Sequence, residues 1–161
     1  MTYSVIDSPI GPLTIVERGC ALAAIYMDSH RPAPDPSTFG ERVDDAFPAA
    51  TAQLAEYFDG GRQAFDLPLA PLGTEFQVRV WEQLRQIPYG QTRSYGQIAA
   101  ALGQPGASRA VGLANGRNPI SIVVPCHRVV GASGALTGYA GGPERKRFLL
   151  DLERGAGRLP G

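Results

Sequence analysis

The sequence predicts a chain of mixed sheet and helix in two parts, strands first and helices after. Three observations carry this. The first 28 residues alternate short β-prone runs with turn residues, the character changes at Pro71-Leu72-Gly73, and from Thr74 onward apolar residues recur at helical spacing. With 161 residues the chain has room for one large domain or two small ones. We expect two, residues 1–73 and 74–161.

Residues 3–6, 13–16 and 22–27 read as an antiparallel meander, with turns at Ser8-Pro9-Ile10-Gly11-Pro12 and Arg18-Gly19. Pro32, Pro34 and Pro36 make 28–37 a surface loop. A helix over 49–58 is stopped by Gly60-Gly61, and a short strand over 65–69 follows. Thr74 caps a helix with Phe76, Val80, Leu84 and Ile87 on one face, closed by Pro88-Tyr89-Gly90. Ser94 opens a second helix, in which Tyr95, Ile98, Ala99 and Leu102 share a face. A third runs from Ala107 or Ser108 to about Asn115, with Arg109 near its start and Ala107, Ala110, Val111 and Ala114 inward. The β-branched-rich run 120–124 reads as a buried strand ending at Pro125-Cys126-His127-Arg128-Val129. After a glycine-rich stretch, 131–142, Pro143 starts a last helix to about Glu153, with Phe148, Leu149 and Leu152 as its buried face.

Zero net charge hides an uneven distribution. Residues 1–75 hold 4 arginines against 11 acidic groups, whereas 76–131 hold 6 arginines against Glu82 alone. Phosphate contacts follow local charge, so the second half is the candidate face for a polyanion, the alternative being an ordinary solvated surface. Two short helices joined by a glycine-containing turn, the second with arginine at its start, have the outline of a helix-turn-helix, which is also that of a plain packing unit. No apolar run is long enough to span a bilayer and the first residues lack a secretory pattern, so the expected location is the cytoplasm. There Cys20 and Cys126 should be free thiols, Cys20 as an inert, buried small side chain. His30 reads as an exposed loop residue. Without paired cysteine spacing, and without the strand, helix and lysine context of a phosphate loop, neither metal nor nucleotide cofactor is expected.

Cys126 has a different setting. It follows a proline and is flanked by His127 and Arg128, whose positive potential would favour a thiolate, the nucleophilic form. A shift from about 8.5 to about 6.5 would raise the thiolate fraction at pH 7 from roughly 3% to roughly 75%. His127 is the base candidate. In extended backbone neighbouring side chains diverge, so contact needs a turn or an intervening water, and the water is favoured. Spacing leaves Glu144, Asp151 and Glu153 open as the carboxylate that orients the histidine.

Pro125-Cys126-His127-Arg128-Val129, preceded by Asn118-Pro119 and Ser108-Arg109-Ala110-Val111-Gly112, resembles the O6-alkylguanine-DNA alkyltransferases. The resemblance extends to Ile87-Pro88-Tyr89-Gly90, Ser94-Tyr95-Gly96 and Tyr139-Ala140-Gly141-Gly142, covering residues 74–153. Before that it rests on length and the Ser8-Pro9-Ile10-Gly11 turn. It implies an α+β protein, with an N-terminal ribonuclease-H-like sheet-and-helix domain and a C-terminal helix-turn-helix (winged-helix-like) domain. The implied activity is DNA repair by direct reversal, in which an alkyl group passes irreversibly from O6-alkylguanine in double-stranded DNA to Cys126.

By similarity His127 is the base through a water, Glu153 orients it, Asn118 braces the turn before the active-site strand, and Tyr95 protonates the departing guanine and presses on the DNA backbone. Arg109 fills the gap left by the extruded nucleotide. Ser94, Ala107, Ser108 and Gly112 belong to the DNA face, and Val129, Tyr139 and Ala140 lie against the base. Ala140 stands where a serine is common, which leaves the range of alkyl groups open. Activity on O4-alkylthymine and cooperativity along DNA are open independently of that position. The chain is expected to be a monomer. A non-repairing alkyltransferase-like binder would lack the acceptor thiol. A transcription regulator would bind undamaged duplex by sequence, and a cysteine hydrolase would turn over an ester or peptide.

Overall fold

The computed structural model describes residues 1–28, 30, 33–136 and 139–155. Pro32 of the proline-rich loop, Gly138 of the glycine-rich stretch and positions 156–161 of the second half lie outside the described residues. Strands β1 (Thr2–Ile6), β2 (Leu13–Arg18) and β3 (Ala21–Met27) form the antiparallel meander. A two-residue strand, β4 (Glu41–Arg42), lies parallel to β1 at the sheet edge, giving the order β3-β2-β1-β4. Alternation along β2 sends Leu13 and Ile15 to one face and Val16 to the other, where it meets Phe39, Ala23 and Ala24. Helix α1 (Pro48–Phe58) supplies Ala50, Leu54 and Tyr57 to the core that includes Leu13 and Ile15. Gly60, at φ +84°, and Gly61, whose N–H reaches the Glu56 carbonyl, close its C-terminus.

The second half starts at α2 (Glu75–Leu84), where Thr74 and Gln77 form a reciprocal capping box. Strand β5 (Arg93–Ser94) leads into α3 (Tyr95–Ala101), capped in the same way by Ser94 and Gln97. Helix α4 (Ser108–Gly116), strand β6 (Val129–Val130) and α5 (Pro143–Glu153) complete the chain. Val80, Trp81, Leu84, Ile98, Val111, Ile120 and Leu149 join the residues under the sheet in one continuous core. The halves are also tied through the backbone, Ile25 N–H donating to the Pro119 carbonyl at 2.9 Å.

Several expectations are corrected. Residues 120–124 are not a strand: Ile120 makes a single bridge to Ile25, and Ser121 to Val123 turn, with Ile122 at φ +74°. Residues 65–69 likewise give one bridge, Leu22 to Leu69, since Pro68 has no N–H to extend a ladder. Helix α2 stops at Leu84, because Gln86 and Ile87 donate three residues back in tighter turns before Pro88. Ala110 and Phe148 face outward, and the buried faces are Val111, Ala114 and Asn115 on α4 and Lys146, Leu149, Leu150 and Glu153 on α5. Cys20 is exposed at φ +65° in the β2–β3 turn. His30 is buried, edge-on to Tyr26.

Gly73 lies against the Trp81 ring, and a Cβ there would overlap that ring. Trp81 is buried and held by its indole N–H on the Ala114 carbonyl at 2.9 Å, so it cannot yield freely. Gly73→Ala should lower the unfolding free energy by about 1–3 kcal/mol. Gly61→Ala, whose Cβ meets only the Glu56 carbonyl at 3.6 Å, should cost less. Equal urea midpoints for Gly73→Ala and the parent chain would refute this account of the packing.

Candidate active site and nucleic-acid interface

Cys126 is reached around a turn that one side chain clamps. Asn118, buried, accepts from the Ile120 N–H at 3.0 Å and donates to the Val124 carbonyl at 2.8 Å, while the Val124 N–H returns to the Ile120 carbonyl at 3.0 Å. These bonds hold Ile122 in a left-handed conformation that a β-branched residue otherwise avoids. The backbone groups that a strand would pair are satisfied locally instead. Cys126–Arg128 then form one 3-10 turn, closed by the Val129 N–H on the Cys126 carbonyl. Asn115 of α4 donates to the same carbonyl at 3.3 Å.

The turn brings His127 onto the end of α5. Its Nε2 lies 2.6 Å from Glu153 Oε2, and both side chains are fully buried. Of the three carboxylates that spacing left open, Glu153 is the one in contact; Glu144 is exposed and Asp151 half-buried. A neutral imidazole facing a carboxylate carries its proton on the facing nitrogen, so Nε2–H donates and Nδ1 keeps the lone pair. Nδ1 has no hydrogen-bond partner among the described residues. It is the nitrogen left to accept a proton.

Sequence reasoning gave Arg128 a different partner and missed two further groups. Arg128 spends its charge on Glu153, with Nε 2.8 Å from Oε1 and Nη2 3.0 Å from Oε2, and donates through Nη1 to the Ile87 carbonyl at 2.7 Å. Tyr57 of α1 donates its hydroxyl to Glu153 Oε2 at 2.6 Å. Lys146 is fully buried, its Nζ on the Val129 carbonyl. A lysine or tyrosine on a core-facing helical position is the signal that could have marked the last two.

The electrostatics correct the thiolate expectation. Burial pushes the Cys126 thiol up to about 11, opposed by the Asn118 side chain and the Lys146 charge. Arg128 gives its charge to Glu153 instead of the sulfur. Burial lowers Lys146 to about 8, partly offset by Cys126, and lowers His127 against the pull of Glu153, so His127 is neutral at pH 7. Burial alone would raise Glu153, but His127 and Arg128 outweigh it and hold the carboxyl well below its usual range.

The other predicted residues fall into two groups. Asn118, Val129 and Tyr139 are buried with Cys126, and Ala140 is half-buried in the turn before α5. Ser94, Tyr95, Ala107, Ser108 and Gly112 are half-buried where α3 and α4 meet, and Arg109 is exposed in the first turn of α4. A Cβ on Gly112 would lie 3.7 Å from the Tyr95 ring, and one on Gly96 3.6 Å from Ser108 Oγ, ordinary contact distances that bring both positions to the seam between the two helices. The groups are joined by a parallel ladder that was not foreseen, β5 on β6, pairing Arg93 with Val129 and Ser94 with Val130. Among the described residues no cluster of His, Cys, Asp and Glu could hold a metal ion, and no helix is long and apolar enough to cross a membrane.

Fold and site together define a class: a buried thiol next to a carboxylate-oriented histidine, mounted on a helix-turn-helix unit. Residues 75–155 match the model of the 6-O-methylguanine DNA methyltransferase DNA-binding domain, and residues 1–71 that of its ribonuclease-like domain. This chain belongs to the 6-O-methylguanine DNA methyltransferase family. It is 54% identical over 159 residues to the methylated-DNA–protein-cysteine methyltransferase of Mycobacterium tuberculosis (strain ATCC 25618 / H37Rv), with 94% of this chain and 92% of the relative covered. The Methanosarcina acetivorans protein of that name is 51% identical, at 95% and 98% coverage. The crystal structure of Mycobacterium tuberculosis OGT in complex with DNA superposes with a TM-score of 0.90, covering 96% of this chain and 93% of that one.

The buried pair makes stability depend on acid. His127 and Glu153 both have folded values below their ordinary 6.5 and 4.5, so on acidification the unfolded chain takes up protons first. Stability is therefore full above about pH 6.5 and falls as His127, then Glu153 below about pH 4.5, must be protonated. Urea midpoints should drop from pH 7.5 to 5.5 and again to 4; a flat profile would contradict the assignment. Glu153→Gln, which leaves Arg128 buried without its counter-charge, should cost about 3–5 kcal/mol at pH 7.

Proposed function

We propose that this chain repairs DNA by direct reversal, with Cys126 taking the alkyl group from O6 of an alkylated guanine and keeping it. The observation that carries the reading is the Glu153–His127 contact beside Cys126, in a family member with an exposed arginine at the start of α4. The sulfur attacks the alkyl carbon, an S–C bond forms as the C–O6 bond breaks, and the electron pair stays with guanine. The thiol proton leaves through a water to His127 Nδ1, while Tyr95 protonates the departing guanine and is reprotonated from solvent. His127 then returns its proton to solvent, so the proton lost by the thiol balances the one gained by guanine. With the free thiol near 11, deprotonation is coupled to attack rather than completed in the resting protein.

Glu153 orients the histidine, Asn118 braces the turn, and Val129, Tyr139 and Ala140 face the base. Ser94, Tyr95, Ala107, Ser108 and Gly112 take the DNA backbone, and Arg109 occupies the place of the extruded nucleotide. The domains divide at residues 73 and 74, and the protein works in the cytoplasm.

A thioether offers water no easily hydrolysed bond, so repaired guanine should plateau at one per protein on an O6-methylguanine duplex, with one methyl found by mass spectrometry on the Cys126 peptide. Turnover beyond that plateau would end the proposal. Cys126→Ser should abolish transfer with DNA affinity nearly intact.

Arg109 separates two readings, gap filling and phosphate contact. Extrusion costs a few kcal/mol in stacked duplex and nothing for a free base. Arg109→Ala should therefore slow repair strongly in duplex, less in single strands, and hardly at all with free O6-benzylguanine. Equal losses on duplex and single strands, with the salt slope reduced by about one contact, would assign Arg109 to the phosphates.

A further inference from the structure

We propose that Tyr57, on the helix that covers the N-terminal sheet, is a positioning residue for the His127 base, so that the first half of the chain takes part in the chemistry of the second. The inference rests on the Glu153–His127 relay proposed above. Its basis is the sharing of one oxygen. The Tyr57 hydroxyl and His127 Nε2 both lie 2.6 Å from Glu153 Oε2, with Arg128 Nη2 at 3.0 Å, whereas Oε1 takes Arg128 Nε at 2.8 Å and the Gly90 N–H at 3.4 Å.

A carboxylate oxygen offers two lone pairs, and every donor it accepts draws charge that the others would otherwise feel. The Tyr57 bond thus fixes where Oε2 sits and limits how strongly it attracts an imidazolium. Packing alone does not call for the hydroxyl. The Tyr57 ring is fully buried against Phe58, Phe65 and Tyr89, and phenylalanine would fill the same space. Burial and the Glu153 charge push the phenol far above its ordinary range, so it remains a donor at every working pH. Among the described residues, the charged or titratable groups facing His127 and Glu153 are Tyr57 from α1, Cys126 and Arg128 from their own turn, Lys146 from α5, and Tyr139 from the loop before it. Tyr89 lies under the Arg128 guanidinium. Only Tyr57 among them belongs to the first half.

The test is the pH profile of single-turnover methyl transfer by the full chain from an O6-methylguanine duplex. Without the hydroxyl, Oε2 attracts the imidazolium more strongly and is held less firmly. Tyr57→Phe should therefore slow transfer several-fold at neutral pH and move the acid limb up by about half to one unit, with DNA affinity unchanged. Placing 3-fluorotyrosine at position 57, a stronger donor of nearly the same shape, should move the limb down. Leu54→Val, which loses a buried methylene from the same helix, should lower stability and leave the limb in place. An unmoved limb in both Tyr57 variants, or an equal shift in Leu54→Val, would overturn the inference. Glu153→Gln distinguishes the two levels. If it alters the limb while the Tyr57 variants do not, only the role of Tyr57 falls; if it alters nothing, the relay falls with it.

Discussion

The carboxylate of Glu153 is buried at the last turn of α5, and an ion there persists only because donors from three other parts of the chain reach it. Tyr57 comes from α1, Gly90 from the turn after α2, and His127 and Arg128 from the turn that holds the nucleophile. Tyr57, His127 and Arg128 would each bury unpaired donors without this acceptor, and the acceptor would be an uncompensated charge without them. The meeting point therefore fixes how the sheet domain, the α2 turn and the reactive turn sit together. The apolar core brings these elements near one another, and the carboxylate selects their register.

The same burial governs the sulfur. A thiol that is 2% exposed, beside a lysine whose own charge burial weakens, rests in its protonated form. This contrasts with a surface cysteine made reactive by a permanently low pKa. Oxidation follows thiolate character and exposure, and Cys126 has little of either at rest. For a residue that can be used once, a protonated resting state protects it against reagents other than its substrate.

Much of the fold is legible in the sequence because local signals and packing agree: the meander, the caps at Thr74 and Ser94, and Pro143 at the start of α5. The failures have particular causes. The run 120–124 has strand composition, but Asn118 supplies the partners that a neighbouring strand would have provided. Phe148 and Ala110 have core character but lie on the solvent side of helices whose buried positions include Lys146 and Asn115, polar residues that pattern reading sends outward. Cys126 and His127 stand out by their chemistry alone. Tyr57 does not, since the atom that gives it meaning lies 96 residues away.

The ladder of β5 on β6 is only two residues long, yet it ends at Ser94, the cap of α3, on one side and follows the Cys126–Arg128 turn on the other. In the repair proposed above, the helix pair that takes the DNA backbone and the sulfur that meets one carbon thus share a common datum. Positional error between them accumulates over a pair of backbone rungs instead of over the width of the molecule. A displacement of about 1 Å can cost about a hundredfold in rate, so such a short tolerance chain bears directly on how well a small protein can aim.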